Sequence, residues 1–130
     1  MKIEGKLKSD FTKELKRQRP DYYVLHYSTA GAPDREIVGN GITSRWECKH
    51  ATPDFVSPEN QELMCARLAT VAHCRYVFWW ESSKGTGKKT MIVHPLKVLR
   101  RVGCVVVPET WTEGFDHGWL VEQVMKVHRQ

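Results

Sequence analysis

The stretch "GAPDREIVGNGITSRWECKH", residues 31–50, decides the fold. At its centre Asn40-Gly41 is flanked by strand-forming residues. That is the strongest short-range hairpin signal, because both central positions of a type I′ turn need positive φ. With these two residues at the tip, Gly39 faces Ile42, Val38 faces Thr43 and Glu36 faces Arg45. Asp34 then falls opposite Glu47. Side chains alternate along a strand, so Arg45, Glu47 and Lys49 share one face, and Trp46 and Cys48 share the other. The second set suits a core. A three-residue loop over 39–41 would instead pair Asp34 with Trp46, whereas a bulge is another way to bring the two acids together.

Opposed residues on one face of a sheet have Cβ atoms about 4.5–5.5 Å apart. Two carboxylates at that separation repel, and one tends to keep its proton. A divalent cation between them removes the penalty. Oxygen ligands suit a hard ion, Mg²⁺ or Mn²⁺, which takes phosphate oxygens as further ligands. Lys49, one strand step beyond Glu47, places a point charge beside such an ion, suited to orienting water or stabilising charge on a phosphate. The competing reading is an exposed edge hairpin whose Glu36–Arg45 and Glu47–Lys49 charges are merely solvated.

Working outward, Leu7, Phe11 and Leu15 repeat every four residues, and Ser9 suits an N-cap, which predicts a helix over 9–18 ended before Pro20. "DYYVLHYST" reads as a strand, followed by strands over 34–38 and 42–49. Ser57 with Pro58 starts a helix over 58–72 whose apolar stripe is Leu63, Met64, Leu68 and Val71. "RYVFWWE" and "TMIVH" are strands joined by "SSKGTGKK", "PLKVLRR" is a short helix, and a last helix starts near Asp116. This order predicts an α/β fold in one domain, a small mixed sheet flanked by helices. Residues 95–130 form an extension with no assigned role.

The 130 residues are enough to bury a core without staples. No run of about 18 apolar residues predicts a transmembrane helix, and the charged N-terminus is not a secretion signal. Cys48, Cys65, Cys74 and Cys104 lack zinc-ligand spacing and read as free thiols of a cytoplasmic protein. A net charge of +5 is compatible with an anionic partner such as nucleic acid.

Pro33-Asp34, a hairpin-length gap, then Glu47-Cys48-Lys49 resembles the PD-(D/E)XK signature of the restriction-endonuclease-like nucleases. The small residues before the motif, the strand placement of ExK, and the helix and strand that follow extend the likeness over residues 9–81. Within that superfamily the pattern is similar to the VRR-NUC branch and to small phage-type and Holliday-junction-resolving nucleases. The resemblance implies a restriction-endonuclease-like core in αβββαβ order. It makes Asp34, Glu47 and the backbone carbonyl of Cys48 ligands of Mg²⁺ or Mn²⁺, and Lys49 the catalytic lysine. Members often add an acid from the first helix, for which Glu14 is the candidate, and a glutamine near the site, matched by Gln61. Arg35 and Glu36 depart from the apolar residues usual after the aspartate, and Glu36 shares the acidic face as an alternative ligand. His50 belongs to the core-facing alternation and stays outside the site.

Lys13, Lys16 and Arg17 on the first helix, and Lys84, Lys88 and Lys89 in the loop region, suit backbone phosphates, giving sequence-independent affinity. Ordinary solubilising lysines are the alternative. "KGTGKKT" fails as a P-loop, because Ser82 stands at the first glycine and Lys89 at the metal-binding Ser or Thr. "FWW" at 78–80 reads as core, with Trp79 its outward member. The expected activity is metal-dependent endonucleolytic cleavage of duplex or branched DNA by a soluble, phage-type enzyme of the bacterial host cytoplasm, compatible with a homodimer. The alternative is a non-catalytic nucleic-acid-binding module on the same fold.

Overall fold

The computed structural model describes residues 3–27, 33–53, 59–82, 87–101 and 106–129, with the backbone alone described at 59–61. The elements are α1 (Ile3–Gln18), β1 (Tyr23–His26), β2 (Arg35–Gly39), β3 (Ile42–Ala51), α2 (Glu59–Leu68), β4 (His73–Glu81), β5 (Lys88–Val93), α3 (Pro95–Leu99), β6 (Thr110–Glu113) and α4 (His117–His128). The six strands form one sheet in sequence order. Only β3 and β4 run parallel, and α2 lies between them in the chain, as a parallel pair requires a long crossover. The result is a mixed α/β fold with helices on both faces.

The hairpin turn is the two-residue one. Asn40 and Gly41 have φ of 55° and 76°, and Gly39 pairs with Ile42, Val38 with Thr43 and Glu36 with Arg45. On one face Ile37, Trp46, Cys48, Val77, Trp79 and Ile92 pack against Leu7, Phe11 and Leu15 of α1 and Leu120, Val121 and Val124 of α4. On the other, Cys74, Tyr76, Phe78, Met91 and Val93 pack with Cys65 of α2 and Val98 of α3. The sheet is therefore covered on both sides, and even the acidic side of β3 is not a solvated edge.

Four expectations are corrected. The first helix begins at Ile3, not near Ser9: Leu7 already belongs to the buried stripe, and the i,i+4 pairs Glu4–Lys8 and Lys6–Asp10 support the added turns. On α2 the proposed stripe holds only at Leu68, which packs against the core; Leu63 and Met64 are exposed, as is Val71 beyond the helix end, while Glu62, Cys65 and Ala66 are buried. The bulky Tyr76 and Phe78 beneath leave room for small residues, and Glu62 is compensated by an ion pair with Arg101. Trp79 is completely buried, edge-on to Phe11, and Trp80 is the outward member of the triplet. Residues 95–130 contribute β6 to the sheet and α4 to the core, so they complete the fold. The start signal Ser57-Pro58 lies outside the described residues.

The end of α4 holds the hairpin turn. The carbonyl of Gly39 can only accept, so His128 Nδ1 donates to it at 2.9 Å. His128 Nε2 then accepts from the Ser44 hydroxyl at 2.7 Å, and that oxygen accepts from the Trp46 indole at 2.8 Å. Asn40 Nδ2 donates to the His128 carbonyl at 2.6 Å. Close beside, the Tyr22 ring fills the space a side chain on Gly39 would need, because a Cβ there would lie 2.3 Å from Cδ1 of that ring. Gly39→Ala should therefore displace Tyr22 and cost about 1–3 kcal/mol of unfolding free energy in urea titration, as overpacking does.

Candidate active site

The register delivers what the sequence pattern implied. Arg35 pairs with Trp46, which puts Asp34, the preceding residue, level with Glu47. Asp34 is anchored at both ends: its carbonyl accepts from Tyr27 N at 3.1 Å, and its Oδ2 accepts from Cys48 N at 2.9 Å. The Asp34 and Glu47 carboxyls are close enough for each to shift the other's protonation. Glu47 is completely buried, and Lys49 Nζ lies 4.0 Å from its Oε1. Glu47, Lys49 and Asp34 thus converge at one end of the sheet.

Their protonation follows from this setting. Burial pushes the Glu47 carboxyl up to about 10, reinforced by the neighbouring Asp34 carboxylate and only partly opposed by Lys49. Burial also pushes Asp34 up, but the Glu47 carboxyl, the Cys48 N–H and the Lys8 ammonium outweigh it and hold this carboxyl below its ordinary value. Two acids in contact have divided their roles: one ionised, the other holding the proton.

Two residues of α1 that the sequence reading missed complete the cluster. Lys8 Nζ sits 3.1 Å from Asp34 Oδ1 and 3.3 Å from Glu4 Oε2. Burial works against its charge, but Asp34 and Glu4 raise the Lys8 pKa overall. Glu4 Oε1 also accepts from His50 N at 2.9 Å. The signal was present in Leu7, which extends the apolar stripe one turn ahead of Phe11 and places Glu4 and Lys8 on the helix. The acid that α1 brings to this end of the sheet is Glu4. Glu14 is bonded instead to Arg17 and Gln18 on the α1 surface, and the Arg17 hydrogen bond first of all lowers its carboxyl to about 2.

Glu36 is engaged by Arg45 at 3.0 Å. The His50 ring contacts Glu81 at 3.0 Å and stands edge-on to Phe115. Gln61 lies on α2, but its side chain is outside the described residues, as is Lys84. Lys13 and Lys16 are exposed on α1, and Arg17 pairs with Glu14. Lys88 lies over the Phe115 ring, and Lys89 over Trp80 and Trp111.

Among the described residues no group of three or more His, Cys, Asp or Glu side chains is placed to hold a metal ion. The donors that Asp34 and Glu47 bring together are carboxyl oxygens. Such a set fits Mg²⁺, which is usually held by one or two carboxylates with water and phosphate completing its shell. No helix among the described residues is long and apolar enough to cross a membrane. No family model matches the chain, and no curated protein matches it in a sequence comparison.

In metal-free protein Glu47 keeps its proton to about pH 10, whereas the unfolded chain loses it near 4.5. The folded state then binds the extra proton, so stability falls as pH rises through that window. Asp34 acts oppositely: held below 3.8, its contribution is lost only as pH falls below that value. In EDTA the urea midpoint should drop between pH 6 and pH 9, by at most about 1.4 kcal/mol per pH unit in free energy. Glu47→Gln should flatten the decline, and an unchanged slope in that variant would refute the assignment.

Proposed function

We propose that the protein is a metal-dependent nuclease of the restriction-endonuclease-like PD-(D/E)XK type, hydrolysing phosphodiester bonds in DNA. One observation carries the reading: a two-residue turn sets Asp34 level with Glu47, with Lys49 Nζ 4.0 Å from the Glu47 carboxyl. The order of α1, β1, β2, β3, α2 and β4, with β3 parallel to β4, supports the same family.

Asp34, Glu47 and the Cys48 carbonyl are the residues that would hold Mg²⁺ or Mn²⁺. When bound, the ion supplies Lewis-acid polarisation of the phosphate and a lowered pKa for water. Asp34 is ionised in advance, oriented by Cys48 N–H. Glu47 would have to give up its proton to serve as a ligand, so cation binding would strengthen as pH rises. Lys49 carries a compact ammonium next to Glu47, able to orient the attacking water or stabilise charge developing on the phosphate. Lys8 balances Asp34 and Glu4 from the α1 side. Lys13, Lys16, Arg17, Lys88 and Lys89 supply backbone contacts that set affinity rather than sequence choice. Branched DNA as substrate, a phage-type setting, a homodimer and a cytoplasmic location belong to the same proposal, the last fitting the free thiols Cys48, Cys65 and Cys74.

A second reading, a non-catalytic nucleic-acid-binding module, is favoured by the completeness of the charge compensation. Asp34 already has Lys8, and the carboxyl pair already shares a proton. Incubation with plasmid, flap and four-way-junction DNA in Mg²⁺, Mn²⁺ or EDTA separates the two. Cleavage should require metal, and Lys49→Ala should slow it by about 10²–10³-fold. Binding without cutting establishes the module; full cleavage by Lys49→Ala overturns the role assigned to that lysine.

A further inference from the structure

Away from the acid pair, the structure holds a cavity of about 430 Å³ lined by Pro53, Trp80, Lys89, Met91, Pro108 and Trp111, among others. Its size is that of a small-ligand site. Trp111 is 48% exposed, an unusual position for the largest apolar side chain. The Lys89 ammonium lies 4.5 Å from the Trp111 ring centroid and 5.8 Å from that of Trp80. A cation beside two indoles, one of them half exposed, is a pairing of groups that suits a flat, uncharged ring bearing an attached phosphate.

The sheet register relates this cavity to the acid pair. Lys49 pairs with Phe78, Phe78 with Met91, and Met91 with Trp111, so the four stand in one row across β3, β4, β5 and β6. The adjoining row outward runs from Ala51 through Trp80 to Lys89. Residues in a row point to one face, so Glu47, Lys49, Trp80, Lys89 and Trp111 share that face at one end of the sheet. Three strand spacings separate Lys49 from Trp111, about 14 Å. That distance is about four base steps of a stacked strand and fewer of an extended one.

We infer that this cavity is a subsite for an unpaired nucleobase of the DNA strand whose phosphate lies at Lys49. The inference rests on the nuclease or nucleic-acid-binding reading and gives it a preference for strands with an unstacked base. Trp111 and Trp80 supply the stacking surface, Met91 and Pro108 the apolar floor and wall. Lys89 moves from the rings to the phosphate of the bound nucleotide. Glu113 faces Lys89 across the β5–β6 pair, so the phosphate competes with it for the ammonium. A Watson–Crick duplex keeps its bases stacked on one another and gains nothing from the site.

The test uses the intact protein in EDTA, with fluorescence anisotropy of a labelled oligothymidylate, the same strand in duplex, and strands carrying one abasic position at each site in turn. Trp111→Ala, which removes an exposed side chain, should weaken single-strand binding on the order of tenfold and leave duplex binding nearly unchanged. One abasic position should cost the wild type a similar factor and cost Trp111→Ala nothing more. Trp111→Phe should restore most of the affinity, and Lys89→Ala should lower the salt slope by about one charge. Unchanged single-strand affinity in Trp111→Ala, equal loss on both substrates, or indifference to abasic positions overturns the inference. So does a Trp111→Ala variant that changes only self-association in sedimentation. Because metal is absent, failure can be apportioned. A protein that passes these tests but never cuts DNA loses the nuclease reading and keeps the base subsite. One that cuts while Trp111→Ala binds normally keeps the first and loses the second.

Discussion

At Asn40 and Gly41 the backbone takes φ of 55° and 76°, and the arrangement at the far end of the hairpin depends on that bend. A primed two-residue turn matches the twist of the strands it joins and fixes their pairing to the residue. Because the side-chain period of a strand is two, a slip of one residue would send Glu47 and Lys49 to the α1 side and turn Trp46 and Cys48 towards α2. The turn is not left to its own preference. His128 and Ser44 clamp its flanks, Tyr22 covers Gly39, and Asn40 ties back to the end of α4. A tail residue 88 positions away from Asn40 thus protects the register on which the acid pair depends.

The consequence is an ionic cluster at one end of the sheet, apart from the buried Glu62–Arg101 pair and the His128–Ser44 contact. Glu47 is buried as completely as Trp79, a cost that only pairing or neutralisation offsets. The protein uses both: a proton held by Glu47, and the Lys8 ammonium set against Asp34 and Glu4. The two carboxyl groups thus lie together in the folded chain with their charge already balanced by a proton and by Lys8. The same end of the sheet also carries the His50–Glu81 contact and the lysines of β5, so charge is concentrated where strands β3 and β4 terminate.

Local signals carried the hairpin, β4, β5 and the two C-terminal helices, because each is written in neighbouring residues: a turn dipeptide, an alternation, or a cap such as Asp116, whose carboxylate accepts from Trp119 N at 2.9 Å. The short edge strand Thr110–Glu113 was missed, since four residues with alternate ones exposed leave almost no pattern to read. The α2 face was misread for a related reason. Helical spacing identifies a stripe, but which stripe is buried depends on the shape of what lies beneath, and Tyr76 and Phe78 select small residues.

The sequence by itself determined a bend around Asn40-Gly41 and, through strand periodicity, that Glu47 and Lys49 share a face. These are consequences of backbone sterics and a period of two, which act over a few residues. The two-residue turn that sets Asp34 level with Glu47 is settled by the register of the folded hairpin. Only the tertiary structure decided which acid of α1 comes to this end of the sheet, which cation balances Asp34, and whether the acidic side of β3 is wet or dry. Those depend on how a helix is laid across a sheet. Glu4 and Lys8 reach the site because Leu7, Phe11 and Leu15 dock together against Trp46 and Trp79 from α1, a choice that no local pattern encodes.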